Sequence, residues 1–123
     1  MRLLVTGSRE WQDENLIEAT LRRIHAATPI EVLIHGDARG ADRIAASVAR
    51  RLGIEVLAFA ANWERDGRAA GPIRNSVMLR EGKPDTVLAF HDAIETSKGT
   101  RDMAQKARRA HLPVEIVTHA ASS

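Results

Sequence analysis

The chain has 123 residues, of which 44% are hydrophobic, so it suits one domain with one core and is unlike a disordered chain. It has no cysteine, which excludes disulfides and thiolate metal sites, and no apolar run approaching the roughly 20 residues of a membrane helix. A net charge of +2 and 3% aromatic residues are unlike a protein that coats nucleic acid or stacks on single strands, so no nucleic-acid partner is expected.

Short apolar runs alternate with segments of helical periodicity along the whole chain. The predicted strands are Leu3–Thr6, Glu31–His35, Ile54–Phe59, Thr86–Phe90 and Val114–Val117. The predicted helices run from an Asp13 cap to about Ala27, from the segment 37–42 to Gly53, from Gly71 to Gly82, and from Thr100 to Ala110. Residues 62–70 show no periodicity and are predicted to form a loop.

This alternation predicts the class and the topology of the fold. Strands separated by helices form a parallel sheet that is covered on both faces, with right-handed crossovers. We expect an α/β protein, a Rossmann-like three-layer α/β/α sandwich with a five-stranded parallel sheet in the order 3-2-1-4-5. The loops after the first four strands then lie at the carboxyl edge, where such sheets bind ligands.

Each of these four loops carries glycine together with polar or cationic side chains. One glycine is as well explained by a turn or a helix cap, but four such loops together favour a small anionic ligand. Glycine allows close backbone approach, serine offers a hydroxyl, and arginine suits phosphate geometry. The candidate binding residues are Gly7, Ser8, Arg9, His35, Gly36, Arg39, Gly40, Asp42, Trp63, Gly71, Arg74, Asn75, Ser97, Gly99 and Thr100.

The segment Ser97-Lys98-Gly99-Thr100 is the best candidate for a phosphate cradle. It leads into a helix whose first N–H groups are unpaired and whose dipole favours an anion. Ser97 or Thr100 could equally be an ordinary N-cap. The segment is not a Walker A loop, and Gly7 does not begin a G-x-G-x-x-G motif, so no dinucleotide or other cofactor is expected.

Three charged residues in these loops allow two interpretations each. Arg74 is predicted in the first turn of the third helix, where a cation opposes the dipole, so it either has an anionic partner or is simply solvated. Asp42, in the first turn of the second helix, either complements the dipole or serves the site. Arg39 either pairs with Asp37 or Asp42, or reaches a ligand.

Three aromatic or imidazole side chains also fall in these loops. Trp63 either stacks on a base or covers the edge of the sheet. His35 and His91 both end strands close to aspartates, but their spacing matches no ordinary metal-ligand motif, so no metal is expected.

Several segments together resemble a known family. They are Val5-Thr6-Gly7-Ser8-Arg9, His35-Gly36, Arg39-Gly40-Ala41-Asp42, Gly71-Pro72-Ile73-Arg74-Asn75 and Ser97-Lys98-Gly99-Thr100, and they resemble the DUF2493 group, the YspA/YpsA-related domains of the SLOG superfamily. The resemblance implies one Rossmann-like SLOG domain over residues 1–118, with a tail at 119–123. It also implies a small nucleotide or nucleotide-derived ligand and a homodimer that uses the third helix and the loop before it. With no apolar leader before the first strand, we expect a cytoplasmic protein without a membrane partner.

The last loop is also similar to that of the LOG phosphoribohydrolases, P-G-G-x-G-T-x-x-E, which cleave the N-glycosidic bond of a nucleoside 5′-monophosphate. Gly99 and Thr100 match its Gly-Thr, whereas Met103 stands where that group has glutamate, one position after Asp102. Arg74 corresponds in position to the group's catalytic arginine. Arg74 is therefore one candidate catalytic residue. Because the chemistry also needs a carboxylate, Asp42 and Asp102 are the other two candidates.

Two functions from different classes therefore remain open. One is a sensor or binding module for a nucleotide-like ligand, which needs the phosphate cradle and the arginines. The other is an N-glycosidase, which needs a carboxylate as well. Single-stranded DNA binding, as in the DprA branch of the superfamily, is disfavoured by the near-neutral charge.

Overall fold

The computed structural model describes residues 1–119, which contain a five-stranded sheet whose strands are all parallel. The strands are β1 (Arg2–Gly7), β2 (Val32–His35), β3 (Glu55–Ala58), β4 (Thr86–Phe90) and β5 (Val114–Val117), in the order β3-β2-β1-β4-β5. The predicted α/β fold class and strand order are confirmed, and each strand begins and ends within one residue of its predicted position.

The helices are α1 (Glu14–Ala27), α2 (Ala41–Arg51), α3 (Trp63–Asp66), α4 (Ala70–Val77) and α5 (Gly99–Arg109). A π turn, Met78–Gly82, continues α4, and 3-10 turns lie at Gly67–Ala69 and Ile94–Thr96. No helix within residues 1–119 combines the length and apolarity needed to cross a lipid bilayer.

The segment 62–70, predicted to be a loop, is instead largely helical. The Asn62 side chain accepts a hydrogen bond from the Arg65 N–H at 3.0 Å and so caps α3. The Gly67–Ala69 turn then joins α3 to α4. The prediction failed because α3 has only four residues, too few to show apolar periodicity.

The sheet separates two apolar layers, and β1 shows how. Leu3 and Val5 pack with residues of α1 and α2, such as Ile17 and Val48. Leu4 points to the other face and packs with side chains of the π turn and α5. All three β1 residues are buried. Burial on both faces explains why the three central strands, β1, β2 and β4, are nearly continuous apolar runs rather than alternating ones.

Close backbone contacts hold the first two loops together at the carboxyl edge. The Ser8 N–H donates to the Phe90 carbonyl at 2.8 Å, and the Ala41 N–H donates to the Ser8 carbonyl at 3.0 Å. A Cβ on Gly7 would come within 2.6 Å of both Ala41 Cβ and the Phe90 oxygen. Gly40 has a φ of +76°, and a Cβ there would collide with the Ser8 carbonyl.

At the end of the described chain, His119 packs onto the domain. Its Nε2 lies 2.9 Å from Asp13 and its Nδ1 lies 2.9 Å from Asp92. Its ring stacks on Trp11 with 4.5 Å between centroids. Of the predicted tail at 119–123, residues 120–123 lie outside the described residues.

Candidate functional site

A cavity of about 720 Å³ opens at the carboxyl edge of the sheet, among the loops that follow β1, β2, β3 and β4. Sites for small ligands usually enclose about 300–1,000 Å³. Ten of the residues singled out from the sequence line this cavity together. They are Gly7, Ser8, Arg9, Asp42, Trp63, Gly71, Arg74, Ser97, Gly99 and Thr100.

Four cationic side chains line the cavity, namely Arg9, Arg68, Arg74 and Lys98. Within residues 1–119 none of them forms an ion pair with a carboxylate, whereas seven arginines elsewhere do. Cations that converge without forming ion pairs are suited to an anionic ligand. Arg68 is not predicted as a site residue from the sequence, and Lys98 is predicted only as part of the 97–100 segment, because charge on a loop does not by itself predict where a side chain points.

Arg74 is held in place by two hydrogen bonds. Its Nε donates to Asn75 Oδ1 at 3.0 Å, and its Nη1 donates to the Gly36 carbonyl. Burial lowers the pKa of Arg74, although an arginine remains charged at any physiological pH. The prediction that Arg74 lies in the first turn of its helix is wrong, because α4 begins at Ala70 and Arg74 is its fifth residue.

Asp42 is the one acidic residue among those lining the cavity, and it is 4% exposed. Its Oδ2 accepts hydrogen bonds from the Gly36 N–H at 2.9 Å and the Ala38 N–H at 3.4 Å. Burial raises the pKa of Asp42 to about 6, against the opposing effects of these N–H groups and of Arg74. A carboxyl group with this pKa exchanges its proton near neutral pH, as a general acid or base does.

The N-terminus of α5 faces the same cavity. Ser97 Oγ accepts a hydrogen bond from the Thr100 N–H at 3.0 Å, so of the two possible capping residues Ser97 supplies the bond. The Gly99 N–H has no hydrogen-bond partner within residues 1–119. A Cβ on Gly99 would find nothing within 4 Å. The first turn of an eleven-residue helix is therefore open to an anion.

An aromatic side chain stands at the rim of the cavity. Trp63 is 50% exposed, and the Arg9 guanidinium lies over its ring, 5.3 Å from the ring centroid. The exposed part of the Trp63 side chain is available to stack on a planar group. His91 also lines the cavity, and its Nδ1 accepts from the Ala93 N–H at 2.9 Å.

Asn75 and Asp102 do not line the cavity but join α4 to α5 behind it. Asn75 Nδ2 donates to the Gly99 carbonyl at 3.2 Å and to Asp102 Oδ2 at 3.0 Å. Lys106 Nζ donates to the same Asp102 oxygen at 2.8 Å and to the Pro72 carbonyl at 2.9 Å. This network fixes the positions of Arg74 and Gly99.

The remaining candidates from the second loop also lie outside the cavity lining. His35 is 2% exposed, its Nδ1 accepts from the Asp37 N–H at 2.9 Å, and burial lowers its pKa. Gly36 contributes only backbone, and Gly40 shapes the turn. Arg39 pairs with Glu10 at 2.7 Å rather than with Asp37 or Asp42. Within residues 1–119, no group of three or more His, Asp or Glu side chains is placed to hold a metal ion.

Comparison with known proteins finds similar sequences and a similar fold. The profile of the YspA, cpYpsA-related SLOG family matches residues 1–65. The Gene 61 protein of Mycobacterium phage D29 is 40% identical over 119 residues, which cover 92% of this chain and 93% of the relative. The crystal structure of DNA processing protein A (DprA) from Streptococcus pneumoniae superposes with a TM-score of 0.75 at 15% identity, over 94% of this chain and 49% of DprA. The chain thus spans about half the length of DprA and shares its fold.

Proposed function

Because the chain belongs to the YspA, cpYpsA-related SLOG family, we propose that it binds a nucleotide or nucleotide-derived ligand at the carboxyl edge of the sheet, as a sensor or binding module. One observation carries the proposal. Four cations without carboxylate partners within residues 1–119 surround a cavity of about 720 Å³ that a single acidic residue lines. A small ligand with a concentrated negative charge would complement this cavity.

The cavity suggests how the ligand is oriented. A phosphate at the N-terminus of α5 would accept from the Gly99 N–H, with Lys98 and Arg68 beside it. The base would lie against the exposed face of Trp63 at the rim. Residues outside the cavity lining, such as Asn75, would act by positioning the residues that contact the ligand.

A second candidate function is N-glycosidic hydrolysis of a nucleoside 5′-monophosphate, as in the LOG phosphoribohydrolases. The observation that favours it is Asp42, a buried carboxyl with a pKa of about 6 in the same cavity as Arg74. Water would attack the anomeric carbon, the bond to the base would break, and Asp42 would move a proton to the base or from the water. Asp102, hydrogen-bonded to Asn75 and Lys106, would then be a positioning residue.

Titration and product analysis separate these candidates. The protein is titrated in a calorimeter with the adenosine, guanosine, cytidine and uridine 5′-monophosphates, with the free nucleosides as matched compounds without phosphate. Each mixture is then chromatographed for free base. Saturable binding of the monophosphates without base release supports the binding module, and base release that Asp42→Asn abolishes supports the hydrolase. No binding to any monophosphate would refute the proposal.

We also propose that the protein is a cytoplasmic homodimer without a nucleic-acid partner. The dimer proposal is supported by exposed large apolar side chains, with Ile73 on α4 41% exposed and Leu57 on β3 36% exposed. Light scattering at high micromolar concentration tests it, and a monomer mass would contradict it.

A further inference from the structure

One oxygen of Asp42 is left without a partner in the cavity. The Oδ2 atom accepts from the Gly36 and Ala38 N–H groups, but Oδ1 forms no hydrogen bond with any residue in 1–119. Asp42 is 4% exposed and lines the cavity. Its Oδ1 atom is not completely enclosed by protein, so a molecule in the cavity can reach it. A buried carboxylate oxygen with a free lone pair requires a hydrogen-bond donor.

The neighbouring cation does not supply that donor. Arg74 directs its Nε to Asn75 and its Nη1 to the Gly36 carbonyl, and no Arg74 nitrogen lies within ion-pair distance of Asp42 in the described chain. These bonds hold the guanidinium against the backbone of the second loop. The donor for Asp42 Oδ1 therefore comes from whatever fills the cavity, which is water in the empty site and the ligand once it displaces that water.

The chemistry of the ligand limits which group that donor is. A phosphate carries no donor at neutral pH and would be repelled by the carboxylate, so it belongs with Lys98 and the N-terminus of α5. A base that stacks on Trp63 lies at the exposed rim, whereas Asp42 is buried. The part of a nucleotide between its phosphate and its base is the sugar, whose hydroxyls are donors.

Resting on the proposed function, we propose that Asp42 accepts a hydrogen bond from the 2′-hydroxyl of the ligand's sugar. The site would thereby select ribonucleotides over 2′-deoxyribonucleotides. A site built to bond a hydroxyl rejects the analogue that lacks it, because its own polar group is then left unpaired. Asp42 would be the residue that determines this specificity.

The test compares matched ligands. Wild-type protein is titrated calorimetrically at pH 7.5 with adenosine 5′-monophosphate, its 2′-deoxy analogue, ribose 5-phosphate and 2-deoxyribose 5-phosphate. The sugar phosphates remove the base from the comparison. We expect the hydroxylated member of each pair to bind at least tenfold more tightly. Equal affinity within both pairs would overturn the inference while leaving nucleotide binding intact, whereas no binding at all would refute the proposed function itself.

Two variants identify the residue responsible. In Asp42→Asn the amide oxygen still accepts from the loop N–H groups, but a neutral NH₂ donor replaces the charged acceptor, so the ribo-to-deoxy ratio should fall well below the wild-type value. Asp37→Asn is the matched control, because Asp37 lies in the same loop but does not line this cavity, and it should keep the wild-type ratio. An unchanged ratio in Asp42→Asn would overturn the inference. Inosine 5′-monophosphate, whose base lacks the exocyclic amine of adenine, is titrated beside adenosine 5′-monophosphate. If Asp42→Asn loses affinity only for the compound with the amine, Asp42 binds the base rather than the sugar, and the inference is overturned.

Discussion

Arg74 carries the most specific prediction at the scale of single residues. Arg74→Ala should weaken nucleotide binding by about 1.5–3 kcal/mol, the usual value of a charge-assisted hydrogen bond. Arg74→Lys should recover only part of this, because an ammonium cannot reproduce the guanidinium geometry. Calorimetric titration with adenosine 5′-monophosphate measures both. Arg108→Ala, exposed on α5 and absent from the cavity lining, is the control and should bind like the parent.

Gly99 and Gly40 make a matched pair that separates binding from folding. A Cβ at Gly99 meets nothing within 4 Å, so Gly99→Val should melt within a few degrees of the parent. Its side chain would nevertheless stand between a phosphate and the first turn of α5, and affinity should fall about tenfold or more, at least about 1.4 kcal/mol.

Gly40→Ala should behave in the opposite way, because its φ of +76° and the Ser8 carbonyl leave no room for a side chain. Thermal melts should show a clearly lowered Tm for this variant. A Gly99→Val protein with parental affinity would place the phosphate elsewhere, and a Gly40→Ala protein with parental Tm would contradict the packing of the two loops.

At the scale of elements, Asp102 ties α5 to α4 through Asn75 and Lys106. The Asp102 side chain is only 24% exposed, so its hydrogen bonds are partly shielded from water. Asp102→Ala should therefore lower the free energy of unfolding by about 1–2 kcal/mol. Glu81→Ala is the control, since Glu81 is largely exposed and its 3.6 Å pair with Arg80 should contribute little. Urea denaturation measures both variants, and equal losses would contradict a structural tether.

The His119 contacts predict a pH dependence for the end of the chain. The bonds to His119 lower the pKa of Asp92 to about 2, and the bonds to Asp92 and Asp13 raise the pKa of His119. Stability from Asp92 is complete above its ordinary value of 3.8 and disappears as the pH falls through about 2. Stability from His119 is complete below its ordinary value of 6.5 and disappears as the pH rises through the raised pKa.

The contribution of these contacts should therefore be largest between about pH 4 and 6.5. The measurement is the Tm of the parent and of His119→Ala across a pH series. The difference in Tm should peak near pH 5 and shrink toward both ends of the series. A difference that does not change with pH would show that the ring stacking on Trp11, rather than the charges, holds this residue.

The elements also show why the sequence predicts the sheet better than the site. Runs such as Leu3–Val5 are buried on both faces, and that burial leaves a strong local pattern. The direction of a loop side chain depends on distant contacts instead. Asp102 has the right chemistry for the cavity, but Lys106 and Asn75 bind it outside the lining. Arg68 lines the cavity from the Gly67–Ala69 turn, in a segment that the sequence predicts to be a loop.

At the scale of the whole molecule, the formal net charge of +2 hides an uneven distribution. Seven arginines elsewhere are neutralised by neighbouring carboxylates. The four cations of the cavity have no such partner within residues 1–119, and they converge on one space at the carboxyl edge of the sheet. A weakly charged protein thereby acquires a local attraction for a small anion.

Hydrogen exchange on the intact chain tests the location of binding most directly. Backbone amide exchange is followed with and without saturating adenosine 5′-monophosphate. The account predicts slower exchange at residues 8–9, 36–38 and 97–101, segments that each contribute at least one residue to the cavity lining. It predicts no change at residues 28–31 and 83–85, at the opposite edge. Slowing confined to that opposite edge, or none in the three loop segments at a concentration that saturates the calorimetric titration, would contradict a nucleotide site at the carboxyl edge.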